Sequence, residues 1–181
     1  RVFSMHREYF KDYPEVMEHI DFAEQAVLKK EILGSQRILQ FGGDPIFKHN
    51  ARVYNCGFGH INRARAFQEL MYLLLCGCGI GFSVQTHHVS QLPLVARRNA
   101  IVPKMYVVPD TIEGWADAIG VLVASYMGGI SEFDEYIGEK VKFDYSQIRP
   151  AGAPLSSGAK APGPGGLKRS IEKITEIFEK R

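Results

Sequence analysis

The chain has 181 residues, of which 45% are hydrophobic and 23% charged, and its formal net charge is +2. That length can hold one domain with a real core, and 22 basic residues against 20 acidic ones give no field that argues for nucleic-acid or membrane-surface binding. Three cysteines are an odd number and too few for a disulfide framework, which points to a reducing, cytoplasmic setting.

The chain opens on Arg1, and Arg1, His6, Arg7 and Glu8 exclude a signal-peptide pattern there. Tyr13 to Lys30 reads as a helix, because Pro14 suits a first turn and Val16, Ile20, Ala23 and Val27 recur at helical spacing. Gly34 marks its exit. Arg37 to Phe41 reads as a short strand ended by Gly42-Gly43-Asp44-Pro45, and Arg52 to Phe58 as another strand. Ala64 to Leu75 is predicted as a helix that buries nearly all of its C-terminal half. Its densest apolar stretch, Leu70 to Cys76, is far too short to span a bilayer.

Gly77 and Gly79 end that helix, and Ile80, Phe82 and Val84 alternate as a strand. His87-His88 reads as a strand end. Ala100 to Val108 is extended, with Pro103 demoting it to an edge or broken strand. Asp110-Thr111 caps a helix to about Met127 with Trp115, Ile119, Leu122 and Tyr126 on one face, closed by Gly128-Gly129. Val141, Phe143 and Tyr145 alternate again. Residues 151–166 form a glycine- and proline-rich linker, and Leu167, Ile171, Ile174 and Phe178 stripe a final helix that is still running at Glu179-Lys180-Arg181. A chain that starts without Met and stops inside a helix is expected to be a piece of a longer one. Strands alternating with helices predict an α/β fold of βαβ units with a parallel sheet.

Three places carry chemistry, each with a plainer alternative. Cys56 is either a buried structural cysteine or a redox thiol at a strand end, where His60, Arg63 and Arg65 would favour a thiolate if they point inward. The Gly79-Ile80-Gly81 turn is either a helix stop or a place where bare backbone approaches a ligand. It lacks the strand-glycines-helix order of a dinucleotide fingerprint. Residues 151–166 are either a flexible linker or an anion site before a helix N-terminus, with Lys160 adding charge and Arg149, extended before Pro150, aimed at it. Cys76, Cys78, His87 and His88 lack a zinc-site spacing. Asp110, Glu113, Asp117, Glu132, Asp134 and Glu135 read as caps and solvated faces.

Together these segments resemble a known family. Tyr54-Asn55-Cys56, Ala66-Phe67-Gln68-Glu69, Cys76-Gly77-Cys78-Gly79-Ile80-Gly81-Phe82-Ser83-Val84, Val89-Ser90-Gln91-Leu92-Pro93, Pro109-Asp110-Thr111-Ile112-Glu113-Gly114-Trp115 and Asp144-Tyr145-Ser146-Gln147-Ile148-Arg149-Pro150 follow the order of the adenosylcobalamin-dependent (class II) ribonucleoside-triphosphate reductases. The resemblance runs from about Ser35 to the end. It implies an N-terminal helical segment, 1–34, and from 35 to 181 the first strands of a ten-stranded α/β barrel made of two five-stranded parallel halves. It implies Cys56 as the reductant cysteine, which forms a disulfide with a second cysteine as the ribose 2′-OH is lost. It implies Gln40, Asn55, Cys78 and Gly79 at the substrate. It implies Arg149, Gly152, Ser156, Ser157, Gly158, Lys160 and Gly163 at a deoxynucleotide effector. Adenosylcobalamin is the implied cofactor, with most of its site outside this chain, and a dithiol such as thioredoxin the implied reductant.

The resemblance also implies gaps. The family's radical-forming cysteine, its proton-handling Asn and Glu, and the second redox cysteine have no counterpart in this sequence. A half-barrel exposes parallel strand edges, so a complementary C-terminal polypeptide is expected, without which the chain is inactive. Two rivals remain: a metal-radical (class I type) reductase on the same barrel, and a non-catalytic nucleotide-binding regulatory module that keeps the 149–163 loop.

Overall fold

The computed structural model describes residues 1–98, 101–155 and 159–180. They form two compact units, Arg1–Asn55 and Cys56 onward. No described helix is long and apolar enough to cross a membrane.

The first unit is helical: α1 (Val2–Tyr9), α2 (Pro14–Leu28), α3 (Gln36–Phe41), α4 (Asp44–Lys48) and a 3-10 turn at Asn50–Val53. Arg7 ties α1 to α2 through Asp21, at 2.7 Å, and Glu24. Arg1 Nη2 donates to the carbonyls of Leu39 and Gln40, both at 2.8 Å, satisfying carbonyls that the end of α3 leaves open. Gly42 allows the close approach of α1, since a Cβ there would lie 2.8 Å from Val2 Cγ2. The expected strand at Arg37 to Phe41 is therefore a helix. Arg, Leu and Gln are good helix formers, and among the described residues no strand pairs with the segment.

The second unit contains β1 (Cys56–His60), α5 (Arg65–Leu75), β2 (Gly79–Ser83), α6 (Thr86–Val89), β3 (Lys104–Val107), α7 (Ile112–Met127), a 3-10 turn (Ser131–Tyr136), β4 (Val141–Asp144) and α8 (Gly165–Glu179). Strands β1 and β2 pair in parallel across α5, and β3 and β4 pair in parallel across α7. The predicted βαβ units are thus present as two separate two-stranded sheets among the described residues. The strand expected from Arg52 starts only at Cys56, because pairing with β2 rather than residue preference sets its limits. His87 and His88 lie in α6, not at a strand end.

Helix α7 is the centre of this unit. Thr111 Oγ1 accepts from the Gly114 N–H at 2.9 Å, the capping that the sequence predicts. All residues from Ala118 to Tyr126 are buried, so the helix is covered on every side and not only along the Trp115-to-Tyr126 face. Leu122, Ile119 and Tyr126 pack with Val108, Ile148, Leu167 and Ile171. Helix α8 contributes the expected stripe, with Leu167 and Ile171 buried and Ile174 and Phe178 packed against them. Helix α5 departs from expectation: its C-terminal half is only partly covered, and Leu74 is 54% exposed. An all-apolar helix needs cover on all sides, and α7 and β2 supply it on part of the circumference.

A clasp closes the C-terminal end of α8. Arg98, whose side chain is only 7% exposed, bonds Glu179 at 2.8 Å, and its guanidinium lies 4.0 Å from the Tyr126 ring centroid. Tyr126 donates to the same carboxylate at 2.7 Å and stacks on Phe178. Burial pushes the Tyr126 hydroxyl up to about 12. The Arg98 and then the Tyr126 hydrogen bonds hold Glu179 below the usual carboxylate range. A carboxylate depressed on folding stabilises the fold above its unfolded value, and that stability is lost as pH falls through the folded value. Thermal midpoints of the parent and Glu179→Gln should therefore differ near pH 7 and converge below about pH 4. A gap that persists in acid would show that the carboxylate charge is not what holds the clasp.

Candidate functional site

The parallel register sets Cys56 opposite Gly79 and His60 opposite Ser83. Partners in neighbouring strands lie about 4.8 Å apart on the same face, so the Cys56 thiol stands beside a residue that has no side chain. Cys56 is exposed, whereas Cys76 and Cys78 are buried. The buried structural alternative for Cys56 is thereby corrected. Gly77, at φ +89, takes the left-handed turn that carries the chain from α5 into β2. Cys78 sits at that turn with its side chain inward, next to Gly79. Gln40 and Asn55 belong to the first unit: Gln40 is exposed in the last turn of α3, and Asn55 directly precedes Cys56.

Arg63 and Arg65, which would favour a thiolate at Cys56 if they pointed inward, are each paired with other side chains. Arg63 bonds Asn62 Oδ1 and Glu69, and Arg65 bonds Glu132 at 2.5 Å. His60 instead joins a group of rings that sequence reading missed. Its centroid lies 4.2 Å from that of His88, which lies 4.0 Å from His87, while Phe58 meets His60 edge-on at 5.3 Å. His88 Nδ1 is 2.9 Å from Ser83 Oγ. Burial, and then the neighbouring His87 and His60, lower the His88 pKa. The only sequence signal for this group was register: His60 and Ser83 each lie four residues after the paired Cys56 and Gly79. Among the described residues, no group of three or more His, Cys, Asp or Glu is placed to hold a metal ion.

Behind β1, a cleft of about 280 Å³ opens towards α5, lined by Gly59, Ile61, Arg63, Glu69, Leu73 and Ile80 among others. A Cβ at Gly59 would meet nothing within 4 Å, so the missing side chain contributes to this space.

A second group of candidate residues lies after the C-terminal ends of β3 and β4. Arg149 Nε donates to Asp110 Oδ2, joining the loop after β4 to the residue before the α7 cap. Asp110 is thus more than a solvated cap. Of the other acidic residues, Glu135 pairs with Lys104 at 2.5 Å. Asp117 accepts from Gln68 at 2.7 Å, and burial raises its pKa. Beyond Arg149 the chain folds back on itself. Gly152 N–H donates to Ala161, Ala161 N–H to Ala153, and Leu155 N–H to Ala159, all at 2.8–2.9 Å, and Pro154 bridges Lys160. The described arms of this segment, 152–155 and 159–161, are therefore hydrogen-bonded to each other. Gly163, at φ +67, packs so closely that a Cβ would lie 2.8 Å from the Ala151 nitrogen. Gly152 faces open space, Lys160 is exposed, and α8 starts two residues after Gly163. Ser156, Ser157 and Gly158 lie outside the described residues.

No family model matches the chain, and no curated protein matches it. Among solved structures it is similar to the crystal structure of a B-12 dependent (class II) ribonucleotide reductase. The TM-score is 0.80 at 22% sequence identity, over 98% of this chain and 33% of that one. At that identity the likeness shows a shared fold, and the chain spans about a third of the length of the protein it matches.

Proposed function

We propose that this chain is part of a ribonucleotide reductase that converts ribonucleotides to 2′-deoxyribonucleotides. The observation that carries the reading is an exposed Cys56 in parallel register with Gly79, in a fold shared with a B-12 dependent reductase. Glycine at that place leaves room for a substrate against the backbone, and the exposed thiol is accessible to it. Cys56 and a second cysteine from the rest of the protein would each give up one hydrogen and join in a disulfide. The ribose 2′-OH would leave as water, and the 2′ carbon would gain a hydrogen. Gln40, Asn55, Cys78 and Gly79 would contact the substrate, a ribonucleoside triphosphate by the family resemblance.

The loop after β4 is the proposed effector region. Arg149, turned by Asp110, would offer its remaining N–H groups to effector phosphates. Gly152, Lys160 and Gly163, with Ser156, Ser157 and Gly158, would form the rest of that site before the α8 N-terminus.

Adenosylcobalamin would supply the radical when bound. Most of its site, the radical cysteine and the remaining barrel strands are assigned to the rest of the protein by the family resemblance. Exposed Phe58, Phe82, Met105 and Val107 on β1, β2 and β3 fit such a completion. The test is direct. Full-length protein given adenosylcobalamin, a dithiol and each ribonucleoside triphosphate should form the 2′-deoxy product. Product formation that needs a di-metal radical subunit instead of cobalamin would favour the class I type. Deoxynucleotide binding with no reduction under either condition would favour the regulatory module.

A further inference from the structure

We propose that His60, His88 and Ser83 form an acid-sensitive latch that holds α6 across the C-terminal ends of β1 and β2. His60 ends β1 and Ser83 ends β2, opposite each other in the register. Both meet His88 of α6: Ser83 Oγ through its 2.9 Å contact with Nδ1, and His60 through its ring. Helix α6 has four residues, a single turn that is marginal by itself, so what ties it down decides where it lies. Beyond α6 the chain is fixed again. Ala96 N–H donates to the Tyr126 carbonyl at 2.7 Å, and Pro93 packs so that a Cβ on Gly129 would lie 3.3 Å from its Cγ. Residues 84–92 are thus a strap with two fixed ends and one latch between them.

The latch gathers three imidazoles. The centroids of His60 and His87 lie 4.2 and 4.0 Å from that of His88. Protonated, rings this close repel as like charges, and among the described residues no carboxylate pairs with any of them. Phe58 stands edge-on to His60 from β1. Arg63 and Glu69, which share a cleft with His60, are bonded to each other. Ser83 can turn its hydroxyl to accept from a protonated ring, so the hydrogen bond persists while the repulsion stays. Burial and the two neighbouring rings already lower His88 from its ordinary value of 6.5. A histidine lowered in the latched form stabilises that form above the ordinary value, and the stabilisation is lost as pH falls through the lowered one. The strap is therefore closed at neutral pH and released in mild acid. Residues four apart in a strand share a face, so the latch lies on the face that carries Cys56, and its release changes access to that face.

The test is hydrogen–deuterium exchange of the full-length protein at about pH 7.5 and about pH 5.5, on either side of the ordinary histidine value, corrected for intrinsic exchange and read by peptide mass spectrometry. The amides of His88, Val89, Ser90, Gln91 and Leu92, which bond within the strap, should exchange about tenfold faster or more in acid, while those of α7 stay unchanged. His88→Asn keeps an amide for Ser83 and has no ring to titrate, so its strap should exchange at rates within about twofold of each other at the two pH values. Equal protection of the parent strap at both pH values, an undiminished acid step in His88→Asn, or opening of α7 together with the strap overturns the proposal. Histidine C2–H exchange on the parent does not depend on any variant folding. The peptide holding His87 and His88 should titrate within about one pH unit of the strap's opening, and a wider separation overturns the link.

Discussion

Replacing Cys56 by serine should lower multiple-turnover reduction with a dithiol reductant by about a thousandfold or more, while deoxynucleotide binding and folding stay intact. The size of the effect follows from the chemistry. A hydroxyl cannot close a disulfide, so the electrons that reduce the ribose have no source at this position. The selectivity follows from the structure. Cys56 is exposed at the first position of β1, and exchanging sulfur for oxygen there opens no cavity and strips no buried partner. Substitutions at such sites change stability by about 0.5 kcal/mol or less. The measurements are product formation over many turnovers, effector affinity and the thermal midpoint. Normal turnover in the serine variant would remove Cys56 from the reaction. Lost turnover together with lost effector binding and a lowered midpoint would point to misfolding instead.

Leu122→Ala should destabilise the second unit more than any surface change. Leu122 is 1% exposed on α7 and packs into the cluster formed with Val108, Ile148 and Leu167. Removing a buried leucine side chain costs about 2–5 kcal/mol, the spread reflecting how far the site collapses. In a chain of this size each kcal/mol shifts the midpoint by roughly 2–4 °C, so a drop of about 4–20 °C is expected in thermal unfolding followed by circular dichroism. A drop under about 2 °C would mean that α7 is not the centre of the core.

Local signals in the sequence suffice where a strong local rule decides the outcome. Thr111 is a good N-cap and Gly128-Gly129 a good stop, so α7 was legible at both ends. The parallel pairing of β1 with β2 followed from a strand-helix-strand order. What failed was set by neighbours. Among the described residues Arg37 to Phe41 has no partner strand, so its helix-forming residues prevail. Leu74 lies on a helix whose cover is incomplete, a fact about the surroundings that no periodicity records.

The site divides the same way. Cys56 and Gly79 stood out because a thiol and a glycine turn are visible residue by residue. Their opposition across the strands needed only the register. The partners of Arg63 and Arg65, Glu69 and Glu132, are chosen by side-chain reach rather than by order along the chain, so the sequence does not show them. The meeting of His60 with His88, 28 residues later, depends on turns whose course the residue types alone do not dictate.

The described arms of the loop after β4 have a consequence for how it would select a ligand. A free loop that closes on a ligand loses backbone freedom at every residue, at about 1–2 kcal/mol each, and much of the binding energy is spent on ordering. Here Gly152, Ala153, Leu155, Ala159 and Ala161 are already joined to one another by main-chain hydrogen bonds. If the loop binds a deoxynucleotide as proposed, that ligand would meet described arms already joined to each other. Discrimination between nucleobases of different size would then come from fit against the width between those arms, rather than from how readily the chain wraps around whatever enters.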